Sequence, residues 1–277
     1  MSFWLIDKHS EHSALMIGVK RVLLEKTTRF QKIKVIETFD YGKALMLDDI
    51  IMFSERDNSF YHEMIVHVPL YSHPNPKNVL VIGGGDGGAA TEILRHGCVD
   101  AVTVVEIDPD IPTISNKYFP DIAKGLNNKC CNLIIDDGSK FIQKAEKNSY
   151  DVIIVDSTDP SPLSRSLFTS RFFKTCYELL TKDGILVQQV GSPFYDSKTI
   201  NKLRQFFSKI FKLTFLYTVY VPTYSNGFFS ILLNSKKYNP VRDFDACRFQ
   251  KDGHHMCYYN ADIHVASFAL PNFIKLI

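Results

Sequence analysis

The hydrophobic pattern of the chain changes near residue 56. Before that point, short apolar runs rich in β-branched residues alternate with Gly and Asp turns, as in "FDYGKALMLDDIIMF". Such runs, with no helical spacing between them, are typical of β-hairpins. The pattern therefore predicts a small N-terminal antiparallel β domain over residues 1–56.

Beyond residue 56, strand-like runs alternate with stretches of helical spacing, which predicts an α/β domain over 57–277 with a mostly parallel sheet. Strand-like runs lie at 78–83, 102–106, 132–136, 151–156 and 185–190, and helices are expected near 88–96, 139–147, 169–181 and 197–211. Only a turn separates the last two runs, 215–221 and 228–234. A hairpin there makes the last strand antiparallel to its neighbour.

Bulk composition narrows the classes of protein that fit. With 277 residues and 45% hydrophobic content, the chain suits one large domain or a domain plus a smaller one. A formal net charge of +2 does not indicate binding to nucleic acid or to a membrane surface. Residues 1–20 lack the apolar core of a signal peptide, so we expect a soluble, cytoplasmic protein.

The six cysteines do not form a metal-binding pattern. None stands in a C-x-x-C pair, the spacing that a zinc site usually needs. We expect reduced thiols of a reducing compartment and no metal centre.

A glycine-rich turn after the first parallel strand is the first candidate for chemistry. Gly83, Gly85 and Gly88 match G-x-G-x-x-G. Glu106 follows about twenty residues later in the sequence, where nucleotide-binding folds of this kind have an acidic residue that accepts hydrogen bonds from the ribose hydroxyls. Asp86, however, stands inside the turn, where a pyrophosphate would bind. Two like charges about 4 Å apart repel by about 4 kcal/mol at an effective dielectric near 20.

More carboxylates follow the other predicted strands. In an open α/β sheet, ligands bind at the carboxyl ends of the strands, so these side chains are expected along one rim. They are Asp86, Glu106, Asp108, Asp136, Asp137, Asp156 and Asp159. Each of them alone is more often a helix cap or a turn residue. Together they indicate a site for an adenosine-type ligand with a cationic tail, and for a second cationic reactant.

The motifs that carry these residues resemble the spermidine synthase family of aminopropyltransferases along almost the whole chain. In order they are "FQ", "LD", "ERD", "YHEM", "GGGDGG", "VEID", "DDG", "DSTDP", "SLF", "PTY" and "YYN…IH…FALP". The resemblance implies a methyltransferase-like Rossmann sheet with an N-terminal β domain, in a homodimer or homotetramer. It also implies transfer of an aminopropyl group from decarboxylated S-adenosylmethionine to an amine, usually putrescine, giving spermidine and 5′-methylthioadenosine.

Matching the motifs residue by residue implies a role for each candidate. The donor-binding residues would be Gln31, Asp86, Glu106, Asp137, Gly138 and Leu163, with Glu106 on the ribose, Asp137 and Gly138 on the adenine, and Asp86 with Gln31 on the ammonium. Asp156 would be the catalytic carboxylate, helped by Tyr61, and His62, Asp159 and Tyr224 would line the acceptor site. Taken singly, Gln31, Tyr61, His62 and Tyr224 would be assigned to packing or to the surface.

The implied reaction explains why carboxylates are needed. The sulfonium is already a good leaving group, so neither a metal nor a further cofactor is required. The obstacle is the protonated nucleophile, because freeing an amine of pKa about 10.4 at pH 7 costs about 4.6 kcal/mol. We expect Asp156 to accept this proton or to relay it to water, while the Tyr61 hydroxyl orients the nitrogen.

Three positions depart from the family pattern. Met52 stands where glutamine is common, and Asn58 replaces a usual glutamate after "ERD". Arg165 puts a positive charge on a loop that is expected to close over cations. These departures leave the acceptor open, with cadaverine, agmatine and spermidine as alternatives to putrescine.

Other classes of protein fit less well. A methyltransferase would bring the carboxylate of intact S-adenosylmethionine against Asp86, and an NAD dehydrogenase would bring a pyrophosphate there. A non-catalytic polyamine-binding protein would not need both Asp156 and Tyr61.

Overall fold

The computed structural model describes residues 3–158, 163–224, 226–252 and 255–275. Among these residues, no helix is both long enough and apolar enough to cross a lipid bilayer.

An antiparallel sheet of five strands forms the N-terminal part of the chain. Its strands follow one another in chain order: β1 Phe3–Lys8, β2 Ala14–Thr27, β3 Lys32–Thr38, β4 Lys43–Leu47 and β5 Ile50–Ser54. The turns between β3 and β4 and between β4 and β5 contain residues in the left-handed backbone conformation. These are Gly42 at φ 70°, and Asp48 and Asp49 at φ 49° and 66°. The predicted hairpins are therefore present, and β1 is a strand that the sequence pattern had not singled out.

A second sheet of seven strands carries the rest of the fold. Its strands are β6 Asn78–Gly83, β7 Ala101–Glu106, β8 Cys131–Ile135, β9 Tyr150–Asp156, β10 Leu180–Gln189, β11 Leu213–Tyr220 and β12 Phe228–Ser235. Their order is β11-β12-β10-β9-β6-β7-β8. Neighbours from β10 to β8 are parallel, and β12 is antiparallel to both β10 and β11. The predicted fold class, a mostly parallel sheet with an antiparallel last strand, is confirmed.

The helices pack on this second sheet and between the two sheets. They are α1 Asn58–Ser72, α2 Gly88–Ile93, α3 Asp110–Tyr118, α4 Pro120–Ala123, α5 Gly138–Phe141, α6 Ser170–Leu179, α7 Ser197–Phe207, α8 Ala246–Asp252, α9 Ala261–Ala266 and α10 Asn272–Lys275. Short 3₁₀ turns cover Lys124–Asn127 and Arg165–Phe168.

All four predicted helices end earlier than expected: α6 ends at Leu179 instead of residue 181, α7 ends at Phe207 instead of residue 211, and α5 and α2 are also shortened. The predicted helix 139–147 is α5 followed by turns, because the N–H groups of Lys144 and Ala145 both donate to the carbonyl of Phe141. The predicted helix 88–96 ends as α2 at Ile93, and its last turn tightens because His96 N–H donates three residues back, to the Ile93 carbonyl. At the end of a helix the last carbonyls lack α-helical partners, and here 3₁₀ hydrogen bonds satisfy some of them.

Both faces of the central strands are buried. On β6, Val79 and Val81 enter one apolar core with α1 and α2, and Leu80 and Ile82 enter another with α6. Residues on a strand alternate between the faces, so a strand covered on both sides has to be apolar throughout. That requirement explains the continuous apolar runs of the sequence.

A third core joins the two sheets. Ile33 and Phe53 of the N-terminal sheet pack with Ile111 of α3 and with Phe119 and Ile122. This contact fixes the N-terminal sheet beside the carboxyl end of β7. Because the core is shared, the division of the chain at residue 56 stays a prediction.

Candidate active site

The carboxyl ends of five neighbouring strands meet at one cavity. In spatial order, the strands β8, β7, β6, β9 and β10 lead to Asp137, Glu106, Asp86, Asp156 and Gln189. All five residues line a cavity of about 350 Å³. Neighbouring strands are about 4.8 Å apart, so these side chains form a row along the rim that is long enough for a nucleoside and a second reactant.

The glycine-rich loop lets the backbone come very close to the ends of the neighbouring strands. Gly83 has a φ of 84°, and a Cβ there would overlap the carbonyl of Asp156. A Cβ on Gly85 would overlap the side chain of Glu106, whose Oε2 accepts a hydrogen bond from the Gly85 N–H at 3.2 Å. Only glycine fits at these two positions, so the loop can hold the Glu106 side chain in place.

Glu106 is buried at the end of β7 and is held by backbone donors. Its Oε1 accepts from the N–H of Asp108 at 2.8 Å, in addition to the bond from Gly85. Burial raises its pKa to about 7, although both backbone bonds act in the opposite direction. Next along the rim, Asp137 begins α5 and accepts from the N–H of Ser139 at 2.8 Å.

Gln31 reaches the cavity from the N-terminal sheet, where it is held by a residue of the rim. Its Nε2 donates to Oδ2 of Asp108 at 3.2 Å, and the Thr28 hydroxyl donates to the same oxygen at 2.8 Å. Asp108 also accepts from the N–H of Asp110 through Oδ1, as the cap that the sequence suggested. No local pattern indicates that Asp108 also positions Gln31, because that contact joins residues far apart in the chain.

Asp86 occupies the N-terminus of α2 and pairs with His62. Its Oδ1 accepts from the N–H of Gly88 at 2.7 Å and lies 3.4 Å from Nε2 of His62. Burial alone would lower the pKa of His62, but the charge of Asp86 and the hydrogen bond to it raise this pKa to about 9. Burial alone would raise the pKa of Asp86, but His62 lowers it. Asp86 is therefore one half of a buried ion pair rather than a bare negative charge.

Tyr61 and Asp156 form a hydrogen bond at the centre of the row. The Tyr61 hydroxyl donates to Oδ1 of Asp156 at 2.8 Å. Within the described part of the chain, no group hydrogen bonds to the buried Oδ2 of Asp156. Burial and the charge of Asp86 raise the pKa of Asp156 to about 6, against the lowering effects of His62 and Tyr61. Asp156 can thus accept a proton near neutral pH.

The remaining predicted site residues also lie at this cavity, with one exception. Tyr224 and Leu163 line it, and the Tyr224 hydroxyl donates to the backbone carbonyl of Met52 at 3.0 Å. Asp159 falls outside the described residues. Arg165 is exposed and is not among the described residues that line the cavity.

The structure adds cavity residues that the sequence pattern had not indicated. Among them are Asp7 and His9 at the end of β1, Gln189 at the end of β10, and Asp196 before α7. Asp7 could not be recognised because the sequence pattern gave no sign of β1. His62, Asp86 and Asp156 present atoms that all lie within 4.8 Å of one another, a spacing suited to a small cation or an ammonium group.

The site has the location that ligand sites take in doubly wound α/β folds, at the carboxyl ends of parallel strands, and its lining is acidic. Residues 58–245 match the family model described as spermine/spermidine synthase domain, and residues 3–55 match the spermidine synthase tetramerisation domain. The chain belongs to the spermine/spermidine synthase family.

Individual relatives match over nearly the whole chain. A polyamine aminopropyltransferase of Clostridium beijerinckii is 41% identical over 277 residues, which cover 99% of this chain and 97% of the relative. One from Methanocaldococcus jannaschii is 42% identical, with 98% and 94% covered. A spermidine synthase crystallised with the transition-state analogue AdoDATO superposes with a TM-score of 0.95 at 37% identity, with 99% and 94% covered.

Proposed function

We propose that this protein transfers the aminopropyl group of decarboxylated S-adenosylmethionine to putrescine, giving spermidine and 5′-methylthioadenosine. The observation that carries the proposal is the Tyr61–Asp156 hydrogen bond, which lies in the same cavity as the Asp86–His62 pair and Glu106. Membership of the family supports the reaction class.

In this proposal, the donor lies along the rim from β8 to β6. Asp137 and Gly138 hold the adenine, Leu163 covers its face, and Glu106 accepts from the ribose hydroxyls. Gln31 and Asp86 receive the ammonium of the donor. The carbon beside the sulfonium then comes next to Asp156, on the neighbouring strand β9.

The acceptor amine approaches this carbon from the side of Asp156. Oδ2 of Asp156 takes one proton from the ammonium of the acceptor, and the nitrogen lone pair that is freed attacks the carbon. The carbon–sulfur bond breaks, and its electron pair goes to sulfur, which leaves as the neutral thioether. A carboxyl pKa of about 6 makes this base far stronger than an ordinary aspartate while it is still ionised at neutral pH.

The identity of the acceptor is the finer part of the proposal. We assign His62, Asp159 and Tyr224 to the acceptor side, and we take putrescine as the first candidate over cadaverine, agmatine and spermidine. Met52 adds an apolar side chain to the cavity wall, and its carbonyl accepts a hydrogen bond from the Tyr224 hydroxyl. The reaction as written needs neither a metal nor a further cofactor.

The test is product formation with each amine in turn. The protein is incubated with decarboxylated S-adenosylmethionine and putrescine, cadaverine, agmatine or spermidine, and methylthioadenosine is followed by chromatography. We expect most product with putrescine. Release of no methylthioadenosine with any amine would reject the transfer. A parallel reaction with intact S-adenosylmethionine checks for methyl transfer through formation of S-adenosylhomocysteine.

Asp156→Asn separates catalysis from binding in the same assay. The variant keeps the shape of the side chain but cannot accept the proton, so we expect turnover to fall by about 10²- to 10⁴-fold. Asp262→Asn changes an exposed aspartate on α9 and serves as the matched control, with turnover unchanged. Full activity of the Asp156 variant would contradict the assigned role.

We further propose a cytoplasmic homo-oligomer assembled through the N-terminal sheet. All six cysteines are free, which suits a reducing compartment. On β1 and β2, Trp4, Ile6 and Met16 are 51 to 66% exposed, and Phe39 beside them is 55% exposed. An apolar stripe of this kind is typical of a contact between protein chains, and the matched tetramerisation domain covers it.

A further inference from the structure

His62 lines two cavities. One is the cavity that holds Asp86 and Asp156. The other has a volume of about 280 Å³ and is bounded by Glu55, Asn58 and residues of α2 and α4. Exposed residues, Asp121 and Lys124, also line the second cavity, so it reaches the protein surface.

Carboxylates on three neighbouring segments favour a charged His62 ring, while Lys124 is a cation that lines the second cavity. Asp86 precedes α2 and lies 3.4 Å away, Asp156 ends β9, and Glu92 lies on α2. Glu55, at the far wall of the second cavity, is already paired with Lys43 at 3.0 Å. Burial of His62, which is only 2% exposed, lowers the pKa of its ring, and the surrounding carboxylates outweigh that effect.

The proposed donor brings a second cation to the same carboxylate. The donor's ammonium next to Asp86 would lie within a few ångströms of a charged His62. Two like charges about 4 Å apart repel by about 4 kcal/mol at an effective dielectric near 20, which corresponds to about three pKa units. A ring whose pKa is about 9 in the empty site would then be neutral at pH 8.

We propose that His62 acts as an exchangeable cation: it neutralises Asp86 in the empty site, and it releases its proton when the ammonium of the donor takes its place there. The N–H bond breaks, its electron pair stays on the imidazole, and the proton passes to water. The second cavity gives that proton a path to solvent that does not cross the substrate cavity. This inference rests on the proposed function for the identity of the donor.

Proton release on binding can be measured without any turnover. Calorimetric titration of the protein with decarboxylated S-adenosylmethionine at pH 8, in two buffers of different ionisation enthalpy, gives the number of protons released per bound donor. At this pH, Glu106 with a pKa of about 7 and Asp156 with a pKa of about 6 are already mostly ionised. We expect close to one proton, the fraction that a group of pKa about 9 carries at pH 8.

Two controls assign the proton to His62. Methylthioadenosine occupies the nucleoside part of the site but has no ammonium, so we expect it to release almost no proton. His62→Gln keeps a polar side chain that cannot be charged, and we expect donor binding to release almost no proton there. In the wild-type protein, NMR of the histidine ring should report a change from charged to neutral at pH 8 when the donor is added.

The outcomes separate this inference from the proposed function. A donor that binds the wild-type protein without releasing a proton, or with the same release in His62→Gln, would overturn the exchange alone. A His62 ring that stays charged in the NMR spectrum of the donor complex would do the same. A donor that does not bind at all would overturn the proposed function, and the exchange with it.

Discussion

The two carboxylate oxygens of Asp156 have different surroundings. One accepts the Tyr61 hydroxyl at 2.8 Å, and the other is buried without a hydrogen-bond partner among the described residues. A buried polar atom without a partner is costly, and functional sites are where such atoms are retained. The unpaired oxygen is thus the atom that a substrate ammonium would satisfy.

The ionisation of Asp156 predicts how turnover depends on pH. A base has to be ionised to accept a proton, so kcat should fall as the pH falls through the pKa of this carboxyl, which is about 6 in the empty site. Bound cations favour the ionised form, so the inflection with saturating substrates should lie at or below about 6. We expect kcat to drop about tenfold per pH unit below it. An inflection clearly above 6 in the measured profile would contradict this assignment.

The pairing of Asp86 with His62 changes the charge argument made from the sequence. The sequence places a carboxylate inside the glycine loop, and the structure places it at the N-terminus of α2, as expected. Its negative charge is compensated by His62, a partner on α1 that lies 24 residues earlier in the chain. The preference for a cationic ligand therefore depends on the cluster of three side chains and not on Asp86 alone.

At the scale of elements, α1 supports the site on one face and the C-terminal segment on another. Tyr61 and His62 face the cavity, and Glu63 points away from it. Nearly every residue of α1 is buried, which explains why it carries no clear amphipathic stripe. The positions of Tyr61 and His62 thus depend on the residues that pack around this helix.

The close contact between Gly88 of α2 and His62 of α1 leaves no room for a methyl group on Gly88. A Cβ on Gly88 would overlap the ring of His62, so Gly88→Ala should push the ring away from Asp86. We expect a loss of about 1 to 3 kcal/mol in the free energy of unfolding, as for other overpacked sites. Affinity for the donor should fall more than affinity for methylthioadenosine. Gly97→Ala is the control, because nothing lies within 4 Å of a Cβ there, and its stability should stay near that of the wild type.

The carboxylate of Glu63 anchors the C-terminal segment to α1, and its removal should weaken that anchor. The carboxylate accepts three backbone hydrogen bonds, from Cys257, Tyr258 and Tyr259, at 2.7 to 2.8 Å. In Glu63→Gln an N–H donor would face backbone donors, and we expect a loss of about 1 to 3 kcal/mol in stability. Hydrogen exchange at 257–259 should become faster. Glu178→Gln, which removes an exposed pair with Lys147, should change neither quantity, and unchanged exchange in the Glu63 variant would contradict its anchoring role.

In the molecule as a whole, the N-terminal sheet both packs against the α/β part of the chain and exposes an apolar stripe. One face packs against α3 through the shared core, and this contact brings Gln31 to the rim of the second sheet. The strands β1 and β2 present the apolar stripe to solvent. In the stripe, Trp4 lies opposite Gly18, and the Phe39 ring lies within 3.2 Å of where a Cβ of Gly18 would be. Gly18 thus lets two large rings lie side by side.

A charge in the stripe should break the assembly that we propose. Trp4→Glu places a carboxylate among the exposed apolar side chains, so we expect a smaller species in size-exclusion chromatography with light scattering. Val265→Glu, at a residue that is 44% exposed on α9, is the control and should leave the size unchanged. A Trp4 variant that keeps the wild-type mass would place the interface elsewhere.

Local sequence patterns indicate most strands and helices of the α/β domain and the acidic residues at the strand ends, but they do not indicate β1. Short apolar runs such as 78–83 and 151–156 suit strands that are buried on both faces, and acidic residues that follow neighbouring parallel strands lie along one rim. These features are local, or they follow from the general geometry of an α/β sheet. Motif resemblance then assigned roles to single residues such as Tyr61.

Which side chains touch depends on tertiary packing. The Tyr61–Asp156 bond joins residues 95 positions apart, and the contact of Gln31 with Asp108 joins residues 77 positions apart. The charge of His62 depends on burial and on neighbours from other elements, which no local pattern records. Helix ends such as that of α5 likewise depend on the packing that replaces lost hydrogen bonds, because intrinsic helix propensities differ by only about 1 kcal/mol per residue or less among most residues.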